Sequence, residues 1–466
     1  MTDVLLFRPN YEGIYTSFKT SAKVQTLIPP TSLMYVASGL ERAGFRPKIV
    51  DLQLENKTHH QLRKILERTD AKVAGVTTTT PEIQENVQLL DFIKRVRPDI
   101  KTVMGGPHPT LLPDDAIRYN SVDAIFKGEG ELEFPNLINA FVKNKSLKKV
   151  GGISYKEKGR IIHNRPARLI DDLDSIPFPA WHLIKYKDYL WPVKDRGIIP
   201  GGTMLTTRGC PYRCVFCGKL FGRTVRFRSP DSVLEELKLI TDDYGIKFFI
   251  MLDETFTLKK DRVIEICKRI VKEKIDITWF ASTRANICDL EMFRWMKKAG
   301  CDRITMGVES GSQKILNILK KDATLKQYED GFRMAKKVGF ETRGSFIIGN
   351  PYDTLKTIRQ SINFAKRIDL DEAYFNIMTP YPGTELYDMA LKGQGLRLVV
   401  KDWRKYRRWG NAVIELDGLK PDDLVRLQKK AHRSFYFRPK PIMHQLRRMG
   451  LVDTVKAGLK YITAFI

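Results

Sequence analysis

Along residues 4 to about 145, short runs of β-branched and other apolar residues alternate with longer stretches whose apolar positions recur every three or four residues. VLLF, PKIVDL, KVAGVTT, KTVMGG and DAIFKG read as strands, and SLMYVASGLERAG reads as a helix between the first two. Strands separated by helices predict a parallel sheet covered on both faces, so residues 1–145 are expected to form a doubly wound, Rossmann-like α/β domain. Residues 146–195 start like a hairpin and continue as a proline-punctuated stretch without period, the pattern of a linker. From 196 to 400 the alternation returns: GTMLTTRG, KFFIML, TWFAST, RITMGVES, TRGSFIIG and AYFNIMTP as strands, with helices at Ser232–Tyr244, Lys260–Lys274 and around Glu291–Ala299. About six βα repeats predict a partial (β/α)6 barrel with its site at the strand C-termini. Residues 401–466 carry no strand signal and read as a helical, basic C-terminal region.

With 42% apolar residues, the 466-residue chain can bury cores for about three folding units, which excludes a disordered tail or a disulfide-stapled scaffold. It contains no run of eighteen uncharged apolar residues, and MTDVLLFRPN lacks a basic segment leading into an apolar one. A cytoplasmic chain without a membrane span is the expectation. The 80 bases against 54 acids leave +26, which suits a nucleic acid, an anionic lipid surface or an anionic substrate. Residues 401–466 hold ten of that surplus, 16 bases against 6 acids. There Leu451, Val455, Leu459, Ile462 and Ile466 form one apolar stripe with Asp453, Lys456 and Lys460 off it. Such a helix packs on the barrel or lies on a peripheral membrane surface.

A doubly wound sheet binds ligands at the carboxyl ends of its strands, where this chain places Pro30, Thr77, Thr78, Gly105, Gly106, Gly128 and Gly130. Each alone also suits a tight turn; their recurrence after successive strands points to a ligand. The cysteines carry the stronger signal. The first 209 residues have none, and TTRGCPYRCVFC then spaces Cys210, Cys214 and Cys217 as CxxxCxxC just after a strand. Three thiolates on one short loop can hold three irons of a cubane cluster and leave the fourth open. A structural zinc site needs a fourth Cys or His at short spacing, and none occurs in the next ten residues. Cys267, Cys288 and Cys301 lack ligand spacing and read as core residues.

Over about 200–395 the sequence resembles the radical SAM superfamily, whose loop binds a 4Fe-4S cluster that chelates S-adenosylmethionine (SAM) through its free iron. Phe216 matches the aromatic position near adenine. DETF (Asp253–Phe256), STRAN (Ser282–Asn286), GVESG (Gly307–Gly311), GSFIIGNP (Gly344–Pro351) and YPGT (Tyr381–Thr384) follow in the family's order. The resemblance makes Glu254, Ser282, Gly349 and Tyr381 candidate cofactor-binding residues. A zwitterionic sulfonium ligand needs carboxylates for its ammonium and ribose groups, which Asp253, Glu254 and Glu309 can supply, and a cation for its carboxylate, which Arg284 can supply.

The front of the chain resembles the cobalamin-binding domain of the cobalamin-dependent branch, through PPTSLMYVASGL, MGGPHPT and VDAIFKGEGELEF. This adds His108 and Glu129 to the candidates there. No Asp-x-His-x-x-Gly segment occurs, and Asp51 is followed by Leu-Gln-Leu-Glu, so the lower cobalt face falls to another residue or to water. His108, between prolines, is a substitute ligand or a turn residue. By resemblance the enzyme cleaves SAM reductively to a 5′-deoxyadenosyl radical and modifies an unactivated carbon, with methyl transfer from methylcobalamin to a lipid, tetrapyrrole or natural product favoured. Ring closure of the kind made by the anaerobic magnesium-protoporphyrin monomethyl ester cyclase subgroup is the alternative. An external electron donor of flavodoxin or ferredoxin type is implied. A tRNA methylthiotransferase needs extra N-terminal cysteines, which are absent, so nucleic acid is not the expected partner. A non-catalytic cobalamin or redox sensor has no use for the strand-end carboxylates.

Overall fold

The computed structural model describes residues 2–10, 27–444 and 446. They divide into two compact units, one of residues 2–10, 28–189 and 218–222, the other of the remainder.

The first unit is built on a seven-stranded sheet, ordered β2-β1-β3-β4-β5-β6-β7. Strands β1 (Val4–Arg8), β2 (Pro47–Asp51), β3 (Val73–Thr77), β4 (Lys101–Gly105) and β5 (Ala124–Phe126) run parallel. The order reverses between β1 and β3, the switch point at which doubly wound sheets open a crevice. Val4, Leu5, Leu6 and Phe7 are all buried, as a strand covered on both faces requires. The covering helix Thr31–Arg42 comes so close to the loop after β5 that a Cβ on Gly39 would stand 2.3 Å from the Glu131 carbonyl oxygen, which explains a glycine in mid-helix.

The stretch read as a linker is part of this unit. β6 (Ile153–Glu157) pairs antiparallel with β5, and β7 (Arg160–His163) closes the edge. Further on, the buried Tyr189 hydroxyl donates to Asp51 Oδ2 at 2.6 Å, and Arg8 Nη1 lies 3.2 Å from the same oxygen. The domain therefore closes near Tyr189, well past 145. Periodicity missed this because β7 is an exposed edge strand and the rest buries Ile170, Leu173, Ile176, Trp181 and Tyr189 at irregular spacing.

In the second unit the sheet order is β16-β15-β14-β13-β12-β9-β8. Six strands are parallel: β9 (Gly197–Met204), β12 (Phe248–Met251), β13 (Thr278–Thr283), β14 (Cys301–Glu309), β15 (Glu341–Ile348) and β16 (Glu372–Ile377). β8 (Leu190–Val193) adds antiparallel to β9, and a short ribbon of β10 (Thr207–Arg208) and β11 (Arg226–Phe227) flanks the cysteine loop. The two edges do not join, so the barrel is partial, as expected. Helices Pro230–Tyr244, Lys260–Lys272, Leu290–Lys298, Leu325–Val338 and Leu355–Arg367 separate the strands. On β13 and β15 buried residues alternate with half-buried ones, one face packed and the other lining the concave side.

Residue 400 is not a boundary either. β17 (Arg397–Leu398) pairs with β18 (Ile414–Glu415), a two-residue strand too short to leave a pattern. Helix Pro421–Tyr436 then lays Gln428 and His432 on β16, with Gln428 Nε2 donating to Phe375 O at 2.7 Å. Burial pushes the His432 imidazole down to about 3, so it stays neutral in the core. No helix among the described residues is long and apolar enough to cross a membrane. The stripe from Leu451 to Ile466 lies outside the described residues.

Candidate active site

Cys210, Cys214 and Cys217 lie on the loop between β10 and β11, which opens at Gly209, held at φ +94°. Cys214 is buried and its two partners are half-buried. Val215 is gripped from both sides: its N–H donates to Leu319 O at 3.1 Å, and its carbonyl accepts from Leu386 N at 2.9 Å. The second bond comes from the first turn of helix Glu385–Leu391, which the YPGT segment caps through Thr384. The cysteine loop is thus set by the segments after β14 and β16 as well as by its own ribbon.

Three thiols on one short loop, with no Cys or His in the ten residues that follow, suit three corners of a cubane cluster better than a closed structural zinc site. Of the other three cysteines, Cys267 and Cys301 are core thiols and Cys288 is half-buried; burial pushes Cys288 up to about 12 and raises Cys267 and Cys301 as well.

Around this loop the structure gathers part of the predicted set. Arg284, following β13, brings Nη1 to 3.6 Å from Cys214 Sγ and Cζ to 3.5 Å from the centre of the Tyr212 ring, and Nη2 donates to Lys321 O. Lys321, which the sequence reading missed, is a buried ammonium 2.9 Å from Glu309 Oε1 and 5.8 Å from the Phe216 ring centre. Burial works against its charge, but Glu309 outweighs it and the ammonium stays above its ordinary range. Glu309 sits at φ +68°, where β14 breaks register with β15, a conformation costing about 1–3 kcal/mol. Gly307 makes the pair sterically feasible, since a Cβ there would stand 2.3 Å from Glu309 Oε1 and 3.1 Å from Lys321 Nζ.

Other candidates have different surroundings. Asp253 Oδ1 is buried and accepts from Thr206 N at 3.1 Å and Thr206 Oγ1 at 2.9 Å, which ties β12 to the turn after β9. Burial raises its pKa, against the pull of the threonine donors. This is a strut behind the loop. Glu254 is exposed and lies beside Gly209, whose N–H hydrogen bond partly offsets the upward push of burial. Ser282 is half-buried on the concave face of β13. Gly349, at φ +84°, packs against Leu424 and Ile414, and Tyr381 donates to Tyr406 O at 3.1 Å, so both brace strand ends.

In the first unit the strand-end loops are laced together. Thr78 N donates to Gly105 O at 2.8 Å, His108 N to Thr78 O at 3.0 Å, Thr110 Oγ1 to Gly106 O at 2.8 Å, and Gly128 N to Thr110 Oγ1 at 3.2 Å. Thr77 O accepts from Asn86 Nδ2. Gly106, at φ +97° and ψ −168°, lets the loop after β4 lie directly against the end of β3: a Cβ would lie 2.8 Å from both Thr77 Oγ1 and Thr78 N. Strand ends that carry only threonines and glycines, Thr77, Thr78, Gly105, Gly106 and Gly128, leave room for a broad planar ligand. His108 is fully buried, with Nδ1 3.3 Å from Thr80 Oγ1 and Nε2 3.0 Å from Asp115 Oδ2. Both ring nitrogens are thus engaged within the unit. Glu129 accepts from Ile170 N at 2.9 Å, Gly130 packs on Val36, and Pro30 opens helix Thr31–Arg42.

A three-cysteine loop at the mouth of a partial α/β barrel, in a chain that also carries a doubly wound domain, is the layout of enzymes that use an iron–sulfur cluster, SAM and cobalamin. Family models agree: the B12 binding domain matches residues 20–138 and the radical SAM superfamily residues 204–365. An uncharacterized methyltransferase of Pyrococcus horikoshii is 38% identical over 426 residues, 91% of this chain and 91% of its own. The anaerobic magnesium-protoporphyrin IX monomethyl ester cyclase of Rubrivivax gelatinosus is 28% identical, over 98% of this chain and 82% of its own. In fold the chain resembles the radical SAM methyltransferase TsrM of Kitasatospora setae, with a TM-score of 0.73 at 17% identity over 100% of this chain and 99% of that one. The chain belongs to the radical SAM superfamily, in its cobalamin-binding branch.

Proposed function

We propose that the protein is a C-methyltransferase acting on an unactivated carbon of a lipid, tetrapyrrole or natural-product substrate. The observation that carries the reading is the cysteine loop, three free cysteines on one turn with a buried Lys321–Glu309 pair beside it. When bound, the cluster with SAM supplies reductive cleavage to a 5′-deoxyadenosyl radical, and cobalamin supplies a transferable methyl group. Cys210, Cys214 and Cys217 hold the cluster. Lys321 and Glu309, a desolvated pair at 2.9 Å, would exchange each other for the SAM carboxylate and ammonium, and Glu254 would offer a carboxylate to the ribose. Phe216 and Ser282 face the remaining nucleotide. Thr77, Thr78, Gly105, Gly106 and Gly128 seat cobalamin through backbone and hydroxyl groups. Electrons come from an external donor of flavodoxin or ferredoxin type.

The methyltransferase relative supports methyl transfer; the cyclase relative, matched over nearly the whole chain, supports ring closure as a second reading. Oxygen-free enzyme incubated with a reductant, SAM and candidate substrates separates the two. Methyl transfer yields 5′-deoxyadenosine together with S-adenosylhomocysteine; ring closure yields the former alone, and neither product would contradict both readings.

For a greasy substrate we also propose peripheral membrane contact by an otherwise cytoplasmic enzyme. Phe437, Ile442 and Met443 are exposed apolar residues beside Lys440, just ahead of the striped, basic C-terminal sequence. Deleting residues 440–466 is expected to reduce co-sedimentation with anionic phosphatidylglycerol vesicles. Unchanged partitioning counts against the contact.

A further inference from the structure

Arg284 was expected to bind the SAM carboxylate, yet both terminal nitrogens of its guanidinium are already engaged, while the buried Nε has no hydrogen-bond partner among the described residues. One arm points at the Cys214 sulfur, the other donates to the Lys321 carbonyl, and the plane lies on Tyr212, whose hydroxyl accepts from Asn286 Nδ2 at 3.3 Å. Tyr212 and Cys214 belong to the cysteine loop, and Lys321 to the segment after β14. Among the described residues Arg284 forms no salt bridge; the carboxylate of this region, Glu309, is taken by Lys321. A full positive charge in a buried setting is therefore directed at the sulfur of the one cluster cysteine that is itself buried.

We infer that Arg284 is a positioning residue for the cluster: it locks the loop that carries Cys214 and, through its N–H toward the thiolate, raises the reduction potential of the iron–sulfur centre. This rests on the proposed cluster. Reduction adds negative charge to the cluster, and a fixed cation donating to a ligating sulfur stabilises the more negative state. Burial strengthens the effect, because little solvent screens a charge at this distance. The stacked, two-armed geometry is specific to a guanidinium; a lysine keeps the charge but loses the second arm and the ring contact.

The test uses the reconstituted full chain with cobalamin, titrated electrochemically under electron paramagnetic resonance without SAM, beside SAM affinity by equilibrium dialysis. Arg284→Gln is expected to lower the potential, Arg284→Lys to lower it less, and both to retain affinity for SAM. Failure of both variants to load the cluster, with wild-type melting temperatures, supports the positioning role. Unchanged potentials in loaded variants overturn the inference, as does a loss of SAM affinity at unchanged potential, which returns Arg284 to the ligand. A wild-type protein that loads no cluster overturns the proposed function itself, and is read before any variant.

Discussion

Replacing Cys214 with alanine is expected to abolish the visible iron–sulfur absorption and reduce 5′-deoxyadenosine to the level of an enzyme-free control. The thiol is not readily replaced, because Cys267 and Cys301 are buried in the core, Cys288 is held by its bond to Arg284 O at 3.3 Å, and Val215 is fixed on both sides of its peptide. With two ligands on a gripped loop, the cluster loses the buried sulfur toward which Arg284 points. Cys267→Ala is the matched control. That thiol is fully buried in helix Lys260–Lys272, so its loss touches packing and should leave both the absorption and the cleavage in place. Cleavage by the Cys214 variant at the wild-type rate would contradict the site.

Gly106→Val should have the second largest effect, on the other cofactor. The residue occupies a backbone region almost confined to glycine, and any Cβ collides with the Thr77 hydroxyl and the Thr78 amide. Forcing a side chain there costs about 1–3 kcal/mol in strain alone, or roughly 5- to 150-fold in binding if the strand ends move to relieve it. Cobalamin retained after gel filtration, read from its visible absorption, is expected to fall accordingly while iron and sulfide stay at wild-type levels. Full cobalamin with normal stability would show that the ligand does not use these strand ends.

Much of this architecture was legible in the sequence, and the reasons are physical. Parallel strands buried on both faces announce themselves as continuous apolar runs, and amphipathic helices between them leave a 3.6-residue period. The cysteine spacing was legible because so few chemistries need three thiolates on one turn. What stayed hidden depends on contacts without period. β7 lies exposed at a sheet edge, and the stretch up to Tyr189 is fixed by scattered contacts such as Ile170 N on Glu129, Ala180 N on Met34 O and the Tyr189 phenol on Asp51, so the apparent linker is part of a domain. Lys321 follows an amphipathic run in which a lysine reads as a solvated face, and only the kink at Glu309 turns the carboxylate toward it. Asp253 and His108 had the right chemistry at strand ends, but the first is bound to Thr206 and the second to Thr80 and Asp115. Side-chain type at a strand mouth shows what a residue can do; its existing partners decide whether it is free to do it.

The central claim is tested most directly by metal analysis and Mössbauer spectroscopy of protein purified without oxygen, before and after SAM is added. The account predicts a cubane cluster in which a single iron site changes its spectrum when SAM arrives. Stoichiometric zinc in place of iron, or a cluster whose iron sites all remain unchanged, would contradict it.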